Sequence, residues 1–374
     1  MDYIPQFEPW LGEEEKKLLC ECIDDNWITG GDKVREFENR IAALCRVKHA
    51  VACFNGTMAL YMALKAMGVG EGDEVIVPDF TFIASANAVV MAGATPVFVD
   101  IDRETLNIKV DALMDAITPV TKAIMPVHIY GRPADMYNTT AFASCNNLKV
   151  LEDAAQGVGV SYDGMPVGGI GDAGILSFYA DKTMTTGEGG MVLTNNDDIA
   201  EKCIRLSHLG NLSKGRYIHD TIGFNFRMTD LQAAVGLAQL GRLSNITAAK
   251  KLNEALYKEL LSNTPGVTFI EDKPGDVTVP FRIVVFVDNP QGLLEYLKTC
   301  NIGTNRVFYP LHMQPCYEGA RAYPTDNFPN SIWAYEHGLA LPSSAKLTQA
   351  QVKYICQSVD HYQRHNYVKE GVKE

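Results

Sequence analysis

Three clusters of residues carry types and spacings that suit phosphate binding and covalent chemistry. The first is Asn55-Gly56-Thr57, set between an apolar run and a helical pattern. A glycine and a hydroxyl at a helix start present free N–H groups and the positive end of the helix dipole, which suit a phosphate. A plain β-turn with Thr57 as N-cap has the same sequence. The second is Glu152-Asp153-Ala154-Ala155-Gln156, where two carboxylates end a run otherwise too apolar to face water. A buried carboxylate needs a cationic partner. A protonated pyridine nitrogen would serve, and a strand-end Asp capping the next turn is the plainer reading. The third is Ser177-Phe178-Tyr179-Ala180-Asp181-Lys182, followed by Gly187-Glu188-Gly189-Gly190. Lys182 follows an apolar run, and the glycines let backbone approach closely behind it. A desolvated lysine has a lowered pKa and can form a Schiff base, whereas a single loop lysine is more often a surface group. Together, a phosphate cup, a buried acid and a Schiff-base lysine are the parts of a pyridoxal phosphate site. A fourth run, Gly169-Ile170-Gly171-Asp172-Ala173-Gly174, matches G-x-G-x-x-G, but it precedes a strand pattern and opens no helix, so dinucleotide binding is not expected.

The elements that must position these clusters are legible as alternating patterns. Short apolar runs at residues 49–54, 74–78, 95–100, 122–128, 148–152, 175–179 and 191–194 read as buried strands. Helical patterns at 58–67, 83–92 and 110–116 separate the earlier ones, which implies βαβ units and a mainly parallel sheet between helices. The runs near 174–194 leave no room for a helix and suggest one antiparallel excursion. Residues 229–261 read as a long helical connector with a break near Gly241. A smaller α+β unit follows, with strands at 279–287 and 304–308, a helix at 291–300, and a last helix capped by Thr348 and ending near His365. The first 45 or so residues are helical and fit against either domain.

Composition bounds the partners. The 374 residues are 47% apolar and 21% charged, the balance of a folded globular protein of two or three domains. Lys and Arg total 33 against 45 Asp and Glu, for a net charge of −12. No basic stripe offers itself to nucleic acid or an anionic membrane. The first ten residues lack the pattern of a signal peptide, and the most apolar stretch, residues 84–99, is too short and too broken to span a bilayer. Nine irregularly spaced cysteines read as reduced thiols and the scattered histidines offer no metal site, so a cytoplasmic protein without a metal is expected.

The motifs resemble the DegT/DnrJ/EryC1/StrS family of sugar aminotransferases, nearly end to end from Trp27-Ile28-Thr29-Gly30-Gly31 to the last helix. Asn55-Gly56-Thr57, Pro78-Asp79-Phe80-Thr81-Phe82, the Glu152, Ser177 and Gly187 motifs, and Gly223-Phe224-Asn225-Phe226-Arg227-Met228 occur in the family's order. The resemblance implies the α/β fold of fold-type I pyridoxal 5′-phosphate aminotransferases. In that fold a large domain with a mainly parallel mixed sheet, residues 1–245, precedes a smaller C-terminal α+β domain, residues 246–374. It implies that Lys182 carries the cofactor, Asp153 pairs with its pyridine nitrogen and Gln156 contacts its 3-hydroxyl. Phe82 stacks on the ring, and Gly56, Thr57 and Ser177 bind the phosphate. Asn225 matches an asparagine that reaches the partner subunit's cofactor phosphate, which implies a homodimer with shared active sites. The family includes a dehydratase with a histidine in place of the lysine, so Lys182 favours transamination.

Within the family, Ile124 to Gly131 and Val307-Phe308-Tyr309-Pro310-Leu311-His312 look like the branch that uses L-glutamate to aminate C4 of GDP-4-keto-6-deoxy-D-mannose. Arg306, Tyr309 and His312 are the substrate-binding candidates. The branch usually shows Arg-Pro where this chain has Asn305-Arg306, and a shift of one residue on a strand points the basic side chain to the other face. An aminotransferase for a UDP- or dTDP-linked 4-keto sugar is the alternative. A non-catalytic regulator on the same fold is disfavoured by the joint presence of Lys182, Asp153 and Gln156.

Overall fold

The computed structural model describes residues 2–211, 217–317 and 328–370. Helices α1 (Glu13–Asp24) and α2 (Asp32–Cys45) precede β1 (His49–Cys53), α3 (Gly56–Ala66), β2 (Glu74–Pro78), α4 (Ala84–Met91) and β3 (Thr95–Val99). The chain continues through α5 (Leu113–Ala116), β4 (Thr121–Ile124), α6 (Met136–Cys145) and β5 (Lys149–Asp153). A short hairpin of β6 (Ser161–Tyr162) and β7 (Met165–Pro166) leads to β8 (Ala173–Ser177), β9 (Gly190–Thr194) and α7 (Asp197–Ser207). Then come α8 (Asp230–Gly241), α9 (Leu243–Leu261), β10 (Thr268–Phe269), β11 (Ile283–Phe286) and α10 (Pro290–Thr299). The described elements end with β12 (Asn305–Arg306), α11 (Pro329–His337), β13 (Gly338–Leu341) and α12 (Gln349–Glu370).

The larger sheet has seven strands in the order β1-β9-β8-β5-β4-β2-β3. Its pairs are parallel from β8 to β3, while β9 runs antiparallel to both β8 and β1. This is the excursion that the sequence leads one to expect, because the twelve residues between Ser177 and Gly190 form a loop instead of a crossover helix. Every residue of β2, β8 and β9 is buried, as a sheet covered on both faces requires. Gly190 pairs with Cys53 on one side and Ser177 on the other. A Cβ there would lie 2.3 Å from the Asn55 carbonyl oxygen, so this glycine lets β9 press against the turn that starts α3.

Helices α1 and α2 dock on α8, which resolves the choice the sequence left open. The buried Asp230 carboxylate, at the start of α8, accepts hydrogen bonds from Gly31 N at 2.7 Å and Val34 N at 3.0 Å. Thr229 and Gln232 form a capping box there, and Arg242 interrupts the helical backbone between α8 and α9. The second sheet is antiparallel in the order β10-β11-β13-β12, and Ile4 joins its core through a bridge to Ile302.

Three strand readings shorten. β4 stops at Ile124, ahead of Pro126, which has no N–H to donate. β11 begins only at Ile283, because Val279 N and Phe281 N donate instead to the carbonyls of Gly131 and Tyr130. β12 keeps two residues paired to β13.

Two glycines separate close packing from mere flexibility. Gly190→Ala should cost about 2 kcal/mol of stability, because its Cβ has no room against backbone. Gly241, at the end of α8, has nothing within 4 Å of its would-be Cβ, so Gly241→Ala should gain up to about 1 kcal/mol. Urea-unfolding midpoints of the two variants should move in opposite directions.

Candidate active site

A cavity of about 380 Å³ opens where β5 and β8 end and α3 begins, with residues 281, 282, 305 and 306 of the second sheet region on its far wall. Its lining includes Gly56, Thr57, Phe82, Asp153, Gln156, Ser177 and Lys182, all named from the sequence, and Arg306 among the substrate candidates.

Asn55 caps α3 by accepting from Met58 N at 2.9 Å. The first-turn N–H groups of Gly56 and Thr57 have no acceptor within their own helix. Ser177 stands beside them, since a Cβ on Gly56 would come within 2.9 Å of the Ser177 Cβ. Backbone donors, a hydroxyl and a helix N-terminus thus converge on one corner, the requirements of a phosphate cradle.

The adjacent carboxylates at the end of β5 have separate roles. Glu152 is fully buried and accepts from Gly168 N, Ile170 N and Gly171 N at 2.7, 2.6 and 2.7 Å. His128 Nε2 donates to it at 3.0 Å, while His128 Nδ1 accepts from Ala134 N, which fixes the tautomer. The G-x-G-x-x-G run therefore holds a carboxylate of the protein itself. Asp153 faces the cavity. Its Oδ2 accepts from Ser85 Oγ at 2.7 Å and its Oδ1 from Ala155 N at 3.1 Å, and it makes no ion pair among the described residues. Its charge is left for a cation in the cavity. Gln156 Oε1 accepts from Tyr130 N at 2.7 Å, and its amide N–H₂ donates to no group among the described residues.

Lys182 sits in a turn closed by its own N–H to Tyr179 O at 3.0 Å, with Nζ 4.4 Å from the centre of the Phe281 ring. Burial pushes its pKa below the usual lysine value, and the nearby Arg282 adds to this, against the opposing pull of Asp181 and Asp153. Arg282 pairs with Asp181 and also lines the cavity.

Sequence reasoning missed several of these partners. Ser85 carried a signal, a hydroxyl inside an apolar helical pattern, and so did Arg282, a charge inside the run Val279-Pro280-Phe281-Arg282-Ile283-Val284. Nothing local marked Tyr130 as the residue that orients Gln156.

The remaining candidates lie as follows. Arg306 lines the cavity, but it also donates to the Tyr335 carbonyl and, at 3.3 Å, to that of Gly338. Asn305 reaches the same cavity and donates to Gln6 at 2.8 Å. Tyr309 and His312 are not in the cavity wall. Tyr309 packs edge-on against Tyr335, and His312 is held by Asp79 through its backbone N–H at 2.8 Å and Nδ1 at 2.7 Å. Asn225 is exposed, outside its own chain's cavity, on a segment that also exposes Ile222 and Phe224.

Comparison with known proteins gives the family and its relatives. The DegT/DnrJ/EryC1/StrS aminotransferase family matches residues 9–360. The chain is 39% identical to GDP-perosamine synthase of Escherichia coli O157:H7, over 97% of this chain and 99% of that protein. It is 42% identical to GDP-perosamine synthase of Caulobacter vibrioides, over 94% and 96%. The X-ray structure of an aminotransferase from Psychrobacter cryohalolentis matches with a TM-score of 0.91 at 30% identity, covering 96% of this chain and all of that one (100%).

The Glu152 cradle gives a stability prediction. Glu152→Ala strips an acceptor from three backbone amides and His128 at once, and should destabilise the fold by about 3 kcal/mol. A loss below about 1 kcal/mol in denaturant unfolding would contradict the structural role assigned to Glu152.

Proposed function

The chain belongs to the DegT/DnrJ/EryC1/StrS aminotransferase family, and we propose that it moves an amino group from L-glutamate to C4 of a nucleotide-linked 4-keto-6-deoxy sugar. The substrate we assign is GDP-4-keto-6-deoxy-D-mannose and the product GDP-perosamine. The observation that carries this reading is the identity of about two-fifths to two GDP-perosamine synthases along nearly the whole of both chains.

The family uses pyridoxal 5′-phosphate, and the cavity has the features that fit it. Its cradle of N–H groups beside Ser177 suits the phosphate, the unpaired carboxylate of Asp153 suits a protonated ring nitrogen, and the amide of Gln156 suits the ring hydroxyl. In this reading Gly56, Thr57 and Ser177 hold the phosphate, Phe82 covers the ring, and Lys182 carries the cofactor. When bound, the cofactor supplies an electron sink for the carbon that bears the amine.

The chain's own residues then have defined tasks. Ser85 and the Ala155 amide hold the Asp153 carboxylate in place toward the cavity, where it would pair with a protonated ring nitrogen. With the cofactor bound, the Lys182 amine would take the proton from the α-carbon of glutamate. It returns a proton to C4 of the sugar in the second half of the reaction. Burial lowers its pKa from the ordinary lysine value, which favours the neutral amine that accepts a proton. 2-Oxoglutarate leaves before the keto-sugar enters. Arg306, in the cavity wall, is the residue we assign to the sugar substrate, whereas Tyr309 and His312 lie outside that wall.

We further propose a homodimer in which Asn225 reaches the partner's phosphate cradle, supported by its exposure beside Ile222 and Phe224. The division into residues 1–245 and 246–374 is supported by α9, which starts in the core under the larger sheet and ends in that of the smaller. No helix among the described residues is long and apolar enough to cross a membrane, and the cytoplasm is the compartment we assign.

Steady-state assays with glutamate against GDP-, UDP- and dTDP-linked 4-keto-6-deoxy sugars test the assignment. A pocket built to hydrogen-bond guanine leaves polar groups unpaired with a pyrimidine. Catalytic efficiency with the GDP sugar should therefore exceed the others by at least ~100-fold, roughly 2.7 kcal/mol. Equal or better use of a UDP or dTDP sugar would overturn the nucleotide while leaving the aminotransferase in place.

A further inference from the structure

Arg282 lies in the cavity wall, nine-tenths buried. Its Nη2 pairs with Asp181, but among the described residues its Nη1 has no partner, and neither does Asp181 Oδ1. The pair is thus a single contact instead of a fork, and it leaves a charged donor unsatisfied. A buried N–H of this kind costs free energy until an acceptor completes it. The guanidinium is also well located. It lies 4.4 Å from the centre of the Phe281 ring and 5.2 Å from that of Phe7. Lys182 Nζ is 4.4 Å from the same Phe281 ring, so the two cationic centres are at most twice that distance apart.

We propose that Arg282 is the receptor for the α-carboxylate of the amino donor, held in place by Asp181 and Phe281. This rests on the aminotransferase reading above and adds the residue that recognises the donor. The donor's nitrogen must arrive where Lys182 Nζ reacts. In an α-amino acid the carboxylate carbon is about 2.5 Å from that nitrogen, and pairing a carboxylate with a guanidinium adds about 4 Å between their carbons. Both lengths together fit within the separation that the Phe281 ring allows. The diphosphate of a nucleotide sugar is a poorer match, because it leaves C1, across the pyranose ring from the reacting C4. The mechanism otherwise leaves Arg282 without a task.

Calorimetry on the holoenzyme tests this without relying on turnover. The probes are α-methyl-L-glutamate, which has no α-proton to lose, α-aminoisobutyrate, which carries only the α-carboxylate, and GDP. Arg282→Lys keeps Asp181 paired but offers one ammonium to two carboxylates. It should weaken both amino acids by about 30-fold and leave GDP within about twofold. The double variant Asp181→Asn/Arg282→Gln removes the buried pair as a unit and should weaken them by at least ~100-fold. Unchanged amino-acid affinity in either variant overturns the assignment, as does an equal loss of GDP binding. An effect on α-methyl-L-glutamate but not on α-aminoisobutyrate would move the contact to the side-chain carboxylate and overturn it as stated. A wild-type holoenzyme that binds neither amino acid would remove the aminotransferase reading and Arg282 with it, whereas normal wild-type binding with unaffected variants removes Arg282 alone.

Discussion

The buried carboxylate of Asp153, held by a hydroxyl and an amide but paired with no cation among the described residues, is the constraint around which the site is arranged. Removing a carboxylate from water without a counter-charge costs several kcal/mol, so a cation bound in the cavity would be held by Asp153. The sheet makes it possible. β5 lies between β4 and β8, and Asp153 comes at its end, where the parallel strands open onto the cavity. The residue before it is pinned by four donors, so the strand end has little freedom to turn the carboxylate toward solvent. A cationic ring nitrogen placed against Asp153 would pair with this carboxylate, which ties cofactor affinity and catalytic function to one group.

The same economy of position governs the opposite wall. β9 turns back beside β8 and presses its first glycine onto the Asn55 carbonyl, which fixes the α3 N-terminus where a phosphate can meet it. Lys182 hangs from the loop between those two strands, and Phe281 and Arg282 close over it from the region leading into β11. Val279 and Phe281 tie that region to the loop holding Tyr130, and Tyr130 in turn aims Gln156. The C-terminal sheet is therefore joined to the cofactor corner by backbone hydrogen bonds, not only by side-chain packing.

Much of this was legible in the sequence, for a physical reason. Strands covered on both faces are largely apolar runs, which marked β2 at its observed bounds and β9 within one residue. β8 instead ends at Ser177, two residues before the end of the run read at 175–179. The cradle, the acid and the lysine each fall in a contiguous motif, so their chemistry could be read locally. Their specific roles came from the resemblance to a family, because a strand-end Asp or a loop Lys has several common fates. What stayed hidden was long-range. Ser85 meets Asp153 across 68 positions, and Arg282 meets Asp181 across 101. β13, the strand between β11 and β12, is four residues directly after a helix, too short for periodicity to reveal. The reading of 279–287 as one strand erred because its first residues pair with another part of the chain.

The central claim is that Asp153 acts through its charge and not through its shape. Asp153→Asn keeps the volume and an oxygen for Ser85 or the Ala155 amide, but it cannot hold a proton on the ring nitrogen. Turnover and cofactor affinity, measured together on this one variant, separate the two roles. We predict that kcat falls by about 1,000-fold or more while cofactor affinity changes by no more than about tenfold, because the charge matters most in the transition state. A kcat near that of the wild type with full cofactor occupancy would contradict the account and return Asp153 to the role of a strand-end cap.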